Sequence, residues 1–284
     1  MPELPEVESV RLGLSQHLAL AKLVKACDLH PRSLSPHSIA PLHALEGLTV
    51  IAVSRRGKFL WIEFKDEDLL LVAHLGMSGQ FRVFDGIRNE NHPHTRASFS
   101  FERKRGKEKR FELQFLDQRT FGWLRVDERD DSGRPRSISH IAPDPFEESF
   151  EVERVIARIG TRKSEIKRAI LDQGTLSGVG NIYADESLWR ARIHPERSAA
   201  SLSEEELQRL ITSIRTVMKR AVAAGGTSFD QLYVNVNGES GYFANKLAVY
   251  GREGERCRRC GGIIKRIHFT NRSSHFCPRC QRPR

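Results

Sequence analysis

The sequence predicts an α+β protein: an N-terminal helix with two packed β-sheets, then a helical half that ends in a small four-cysteine module. Three observations predict it. Apolar residues near the start recur at helical spacing, short alternating runs extend from Leu48 to Leu116, and beyond Glu151 the period returns to helical. With 284 residues and 39% hydrophobic content, the chain is long enough for a substantial core.

In the first element Leu4, Val7, Val10, Leu14 and Leu18 share one helical face, and Pro5 suits the first turn. The expected strands are Phe59–Phe64, Leu69–Leu75, Gln80–Phe84, Ala97–Phe101 and Arg110–Leu116. Segment 128–139 is polar with Gly and Pro, and reads as a loop or the start of a linker. Ile156, Ile159, Ile166, Ala169, Ile170 and Leu171 support two short helices, and another is expected from Asn181 to about Arg192. The longest runs from Ser203 to about Ala224. Ser203 and Glu206 form a capping-box pattern, Leu207, Leu210, Ile211, Ile214, Val217, Met218 and Ala221 line one face, and Gly225-Gly226 stops it.

The formal charge is +10, and it concentrates in the tail. Between Arg252 and Arg284 ten Lys or Arg face only Glu253 and Glu255. Such a segment suits a polyanion, because each cation near a phosphate releases condensed counterions. An anionic membrane fits less well, since no amphipathic basic helix with bulky apolar anchors accompanies the charge. No apolar run reaches the roughly 20 residues of a membrane span, and the acidic start is no secretory signal. A cytoplasmic, nucleoid-associated monomer is expected.

Cys257-x2-Cys260 and Cys277-x2-Cys280 are sixteen residues apart. Each knuckle offers two thiolates from one tight turn, and tetrahedral Zn²⁺ needs four. Two disulfides or a redox pair are the alternatives, both at odds with a reducing compartment. The expectation is one structural zinc, with Ile263–Ile267 and His275–Cys277 pairing as a hairpin. Four sulfur ligands leave no open position for water, so the metal is not catalytic. Cys27 is expected to be a small buried residue. A ribbon so rich in arginine points to nucleic acid but not to any chemistry.

Chemistry comes from motifs in order along the whole chain. They are Pro2-Glu3-Leu4-Pro5-Glu6-Val7-Glu8, Arg56-Gly57-Lys58, His74-Leu75-Gly76-Met77-Ser78-Gly79 and Asp117-Gln118-Arg119-Thr120-Phe121-Gly122. Then follow Ser177-Gly178-Val179-Gly180-Asn181-Ile182-Tyr183-Ala184, Gly241-Tyr242-Phe243, Tyr250-Gly251-Arg252 and the ribbon. In these the chain resembles the formamidopyrimidine-DNA glycosylase family. The resemblance implies base-excision repair: removal of oxidised purines (8-oxoguanine, formamidopyrimidines) from double-stranded DNA, action on abasic sites, and strand cleavage by β/δ elimination. It implies three domains: a catalytic β-sandwich over 1–140, a helical domain over 141–250, and a zinc-ribbon DNA-binding module over 251–284. The helical domain would hold a helix–two-turns–helix motif and a base-capping loop.

The physical reading of the N-terminus stands beside it. With Met1 removed, Pro2 presents a secondary amine, and an α-amino group ionises near pH ~8, so a useful fraction is nucleophilic near neutrality. By resemblance Pro2 forms the Schiff base at the sugar, Glu3 supplies the acid/base at the sugar ring, and Glu6 supports them. Glu6 reads equally well as a first-turn helix acid favoured by the macrodipole. Lys58, grouped with the catalytic residues, is implied to contact phosphates and the damaged nucleotide, and His74 the DNA backbone.

An enzyme that extrudes a base must also fill the hole. By resemblance Met77 and Phe121 insert and Arg119 bonds the estranged base, preferably cytosine; core packing is the plainer reading of Met77 and Phe121. Thr120 stands where the family commonly has a basic residue, which weakens one phosphate contact. Asn181 is implied to hold a phosphate, with Lys167 a weaker neighbour, Arg272 near the hairpin tip a second clamp and Tyr250 a third. The Gly225–Phe243 segment is expected to close over the extruded purine. Two other readings remain open at this point: an endonuclease VIII-type enzyme for oxidised pyrimidines, and a non-catalytic damaged-DNA-binding protein.

Overall fold

The computed structural model describes residues 2–88, 90–103, 109–227, 236 and 243–283. Contacts divide the chain into two compact units, residues 1–140 with 225–241, and residues 141–224 with 242–284. The 251–284 module thus belongs to the second unit, and the segment after the long helix returns to the first.

In the first unit, α1 (Leu4–Leu18) buries Leu4, Val7, Val10, Leu14 and Leu18, the face its spacing predicts. The strands are β1 (Lys22–Asp28), β2 (Val50–Arg56), β3 (Phe59–Phe64), β4 (Leu69–His74), β5 (Gln80–Asp85), β6 (Thr95–Glu102), β7 (Arg110–Leu116) and β8 (Trp123–Glu128). They form two four-stranded antiparallel sheets, ordered β1-β6-β7-β5 and β2-β3-β4-β8. Phe64, Phe81, Phe99, Phe101, Phe111 and Phe115 fill the core with the apolar face of α1. Val236 joins that core, and a Cβ on Gly13 would lie 3.0 Å from its Cγ2, so Gly13 leaves room for that side chain.

The alternating polar positions of β7 are buried: Gln114 bonds Thr95 at 2.9 Å, Glu112 at 2.7 Å and Asn91 at 3.0 Å, so the polar face is satisfied internally. One reading changes here. Cys27 is half-buried, not buried, because it lies on β1 at one edge of its sheet.

The second unit contains α2 (Val152–Gly160), α3 (Ile166–Leu171), α4 (Asn181–Ala191) and α5 (Glu204–Ala223). Ser203 caps α5: its hydroxyl accepts from the Glu206 N–H at 3.2 Å, and Glu206 accepts from the Ser203 N–H at 3.1 Å. The hairpin is β9 (Lys265–Phe269) with β10 (Arg272–Phe276), and Arg272 pairs with Phe269 beside the tip. No helix among the described residues is long and apolar enough to cross a membrane.

Candidate active site and nucleic-acid interface

Pro2 and Glu3 are buried where α1 begins. Glu6, one turn on, is 3% exposed, and its carboxylate serves two backbone donors. One oxygen accepts from the Glu3 N–H at 2.9 Å, the other from the Thr227 N–H at 2.7 Å. Gly226 makes this possible. Its φ is +84°, and a Cβ there would lie 3.2 Å from the Glu6 carboxylate stem, so backbone and side chain meet closely. Glu6 therefore ties the start of α1 to the start of the segment after α5. Most of that segment, expected to close over the extruded purine, lies outside the described residues, Tyr242 included.

Lys58 follows Gly57 (φ +56°) in the β2–β3 turn and is largely buried. Its neighbour Phe59 pairs with His74 at the end of β4, and His74 pairs with Trp123 at the start of β8. The His74 ring is 5.0 Å from Phe59 and stacks on Trp123 at 5.8 Å. Burial, helped by the Lys58 charge, lowers its pKa to about 4. His74 Nδ1 accepts from the Gly76 N–H at 3.2 Å, which leaves Nε2 to carry the ring proton.

Two turns carry Met77, Arg119 and Phe121, and Asp117 fastens them together. Buried Asp117 accepts from the Gly122 N–H at 2.6 Å, the Arg119 N–H at 3.2 Å and the Ser78 hydroxyl. The Ser78 hydroxyl also accepts from Arg119 N–H at 3.0 Å. Gly76 (φ +59°) has no alternative, since a Cβ would stand 2.4 Å from the backbone of Phe121 and Gly122. On this rigid base Met77 is 44% and Phe121 59% exposed, which removes the core-packing reading of both. Arg119 is exposed beside them. The sequence did not reveal Arg32, whose guanidinium donates to Thr120 Oγ1 at 2.8 Å and brings a cation to the turn.

In the second unit α4 organises the expected phosphate contacts. Asn181 opens the helix, and its amide donates to the Ser273 carbonyl at 3.1 Å, next to Arg272 on the hairpin. Lys167 is corrected from a phosphate neighbour to a buried support. It has no exposed surface; its ammonium lies 2.7 Å from Asp185 and donates to the same Ser273 carbonyl at 3.0 Å. Asp185 also accepts from the Ser274 hydroxyl and the His275 N–H, both at 2.8 Å. Glu186 accepts from the N–H groups of Ala248, Val249 and Tyr250 at 2.8–3.0 Å. Tyr250 is half-buried, edge-on to His275 at 5.0 Å, and Arg272 is exposed. Asp185 and Glu186 look like ordinary helix acids in sequence; both are buried anchors.

The sulfurs of Cys257, Cys260, Cys277 and Cys280 all lie within 4.8 Å of one another. Zinc–sulfur bonds of ~2.3 Å give a tetrahedron with edges of about 3.8 Å, and two of the separations here are 3.5 and 4.0 Å. Burial opposes ionisation of Cys257, but N–H donors from Arg259 and the Trp189 indole outweigh it and bring the thiol down to about 6. Cys280 is pushed up to about 12 by burial and by its sulfur neighbours. One thiolate favoured and another opposed by crowding is a donor set that a dication completes. The four cysteines are the site of one structural zinc.

Comparison with known proteins agrees with this geometry. Family models match residues 1–124 (formamidopyrimidine-DNA glycosylase N-terminal domain), 141–232 (formamidopyrimidine-DNA glycosylase H2TH domain) and 254–283 (zinc finger found in FPG and IleRS). The chain is 50% identical to the formamidopyrimidine-DNA glycosylase of Nocardia farcinica, over 100% of this chain and 99% of the relative. It is 48% identical to that of Streptomyces coelicolor, over 100% and 98%. Among solved structures, the MutM (Fpg) protein of Thermus thermophilus superposes with a TM-score of 0.84 at 38% identity, covering 100% of both chains. Lactococcus lactis Fpg complexed with abasic-site DNA gives 0.85 at 33% identity over 99% of both chains. The same protein with DNA containing an oxidised pyrimidine also gives 0.85 at 33%, over 99% of this chain and 100% of that one.

Proposed function

The chain belongs to the formamidopyrimidine-DNA glycosylase family, and from that membership we propose that it excises oxidised purines from duplex DNA through a Schiff base on Pro2. The observation that carries the reading is the buried Pro2-Glu3 start, held by Glu6 at the head of α1. Once Met1 is removed, the Pro2 nitrogen attacks C1′ of the damaged nucleotide. The glycosidic bond breaks, the base leaves with its electron pair and takes a proton, and Glu3 supports proton transfer at the sugar ring. The iminium acidifies the C2′ proton; its loss expels the 3′ phosphate, and a second elimination expels the 5′ phosphate.

Met77 and Phe121 fill the space left by the extruded base, Arg119 bonds its former partner, and Lys58 and His74 hold backbone phosphates. Asn181, Arg272 and Tyr250 hold phosphates on the second unit. Ser177 Oγ, buried in the turn before α4, has no partner among the described residues and suits the same task. Zinc keeps the hairpin that carries Arg272 folded. The chain acts as a monomer in the cytoplasm, at the nucleoid.

The test is borohydride trapping on duplex containing 8-oxoguanine. Native protein forms an irreversible adduct and nicks the strand. A protein with any residue retained before Pro2 does neither, because an amide nitrogen is not nucleophilic, yet still binds the duplex. Full trapping by the blocked protein would place the nucleophile elsewhere, with Lys58 the first suspect. The Lactococcus lactis complex with an oxidised pyrimidine supports a second reading, in which pyrimidine lesions also enter the site. Parallel excision assays on the two lesion classes decide between them.

A further inference from the structure

The phosphate contacts expected on the second unit gather at the N-terminal end of α4 and at the hairpin tip. The opposite end of α4, about 16 Å away at 1.5 Å per residue, carries a second concentration of positive charge that this grip does not use. Two adjoining surface depressions of about 510 and 560 Å³ lie there, and both are lined by Arg192 and Arg209. The first adds Arg279 and Arg282 from the second zinc knuckle, and the other adds Arg259 from the first.

Three of these guanidinium groups, on Arg209, Arg259 and Arg279, are held mainly by carbonyl oxygens, not carboxylates. Arg209 donates to the Ala191 carbonyl at 3.0 Å and Arg259 to the Trp189 carbonyl at 2.9 Å. Arg259 also lies 4.0 Å over the Trp189 ring. Arg279 reaches the Cys260 carbonyl at 3.4 Å, and its stem passes so close to Gly262 that a Cβ there would stand 2.6 Å from it. The acids nearby do not balance them. Glu206 is engaged by Arg197 through two bonds of 2.7 and 2.9 Å, with Arg209 only at 3.9 Å, which leaves Glu205 at the rim. Capping the C-terminal carbonyls of α4 accounts for Arg209 and Arg259. It does not account for Arg192, Arg279 and Arg282, which are exposed.

We propose that this groove is a second DNA-binding surface, which takes the phosphate backbone of duplex outside the lesion's immediate surroundings. Polyanionic DNA is the partner class of this family, and fixed guanidinium groups in a concave, acid-poor setting suit phosphates. The inference rests on the DNA-binding part of the functional reading and not on the chemistry at Pro2. While one duplex occupies the lesion site, the groove holds a second segment, so the enzyme can pass between segments without full release.

The test uses the zinc-loaded full chain saturated with a short duplex that carries an uncleavable abasic-site analogue. A labelled undamaged duplex is then added, and stoichiometry is read by sedimentation. The saturated native protein should capture the second duplex in a salt-sensitive manner. The triple variant Arg192→Asn, Arg279→Gln, Arg282→Gln should bind the first duplex and excise 8-oxoguanine as the native protein does, yet lose the second. Asn is chosen at 192 because that residue has φ +60°. Removing three cationic contacts should lower the salt slope of second-duplex binding by about 2–3. Failure of the native complex to take a second duplex overturns the proposal, and so does equal capture by the variant. Capture of a poly-glutamate peptide in place of duplex would assign the groove to an acidic protein partner instead. Loss of excision with second-duplex capture intact would fault the reading at Pro2 and leave the groove standing.

Discussion

A neutral imidazole offers one N–H donor and no charge, and His74 is held in that form at physiological pH. Burial and Lys58 put its pKa at about 4, against about 6.5 in an unfolded chain. As pH falls below 6.5 the unfolded state takes up the proton first, so stability is lost between pH 6.5 and 4 and is fully present above that window. Proton NMR should show the His74 ring titrating near 4, and the thermal midpoint of His74→Asn should fall less steeply than native across the same window. A ring that titrates near 6.5 would remove the argument. Gly226 gives a second test at this scale. Gly226→Ala adds a Cβ beside Glu6 at φ +84°, at a cost of about 1–2 kcal/mol. The variant should keep its affinity for undamaged duplex and lose much of its excision rate; unchanged excision would show that the Glu6 tie is structural only. Phe121→Ala should likewise retain binding. It should lose more activity on a stacked lesion than on a preformed abasic site, because unstacking costs a few kcal/mol only when the base is still in the helix. Equal losses on both substrates would argue against the wedge.

At the scale of elements, α4 joins Lys167 of α3, the zinc hairpin and the 248–250 segment through two adjacent carboxylates. Asp185→Ala leaves the buried Lys167 ammonium without its carboxylate, a change that costs about 3–5 kcal/mol. Calorimetry should show a lower midpoint, and DNA affinity should drop as the Ser273–His275 contacts with α4 loosen, while bound zinc stays near one equivalent. Zinc lost in proportion to affinity would show that Asp185 acts only through the metal site. None of this was legible in the sequence. Asp185 finds Ser274 and His275 89 and 90 residues away, and Glu186 finds Ala248 at a separation of 62. What local pattern could reveal was revealed: the buried face of α1, the capped start of α5 and the paired knuckles. β1 and β8 went unseen because their burial does not alternate cleanly, with Leu23 and Ala26 three residues apart in β1 and Val126 and Asp127 adjacent in β8, and turns on pairing with distant strands. In the candidate site the residue types were legible from motifs. The carriers of their geometry, Asp117 above all, were not, since a buried aspartate that binds three neighbours looks like any turn residue.

For the whole molecule, the division into two units makes metal removal selective. Chelation should unfold the ribbon, because zinc binding largely supplies the folding free energy of so small a module. DNA binding should then weaken while the β-sandwich keeps its cooperative melting; a chelated protein that grips DNA as before would contradict the role given to the ribbon. Arg272→Ala should lower affinity for damaged and undamaged duplex alike and flatten the salt slope by about one. Loss confined to lesion DNA would mean that Arg272 reads damage rather than phosphate. The tryptophans also make the molecule its own optical probe. Trp61 and Trp123 belong to the first unit and Trp189 to the second. The Trp189 indole donates to Cys257 sulfur at 3.4 Å beneath the Arg259 guanidinium, so its emission should follow metal occupancy. The Trp123 ring stacks on His74, whose protonated form withdraws excited-state electrons, so acid near pH 4 should dim that fluorophore.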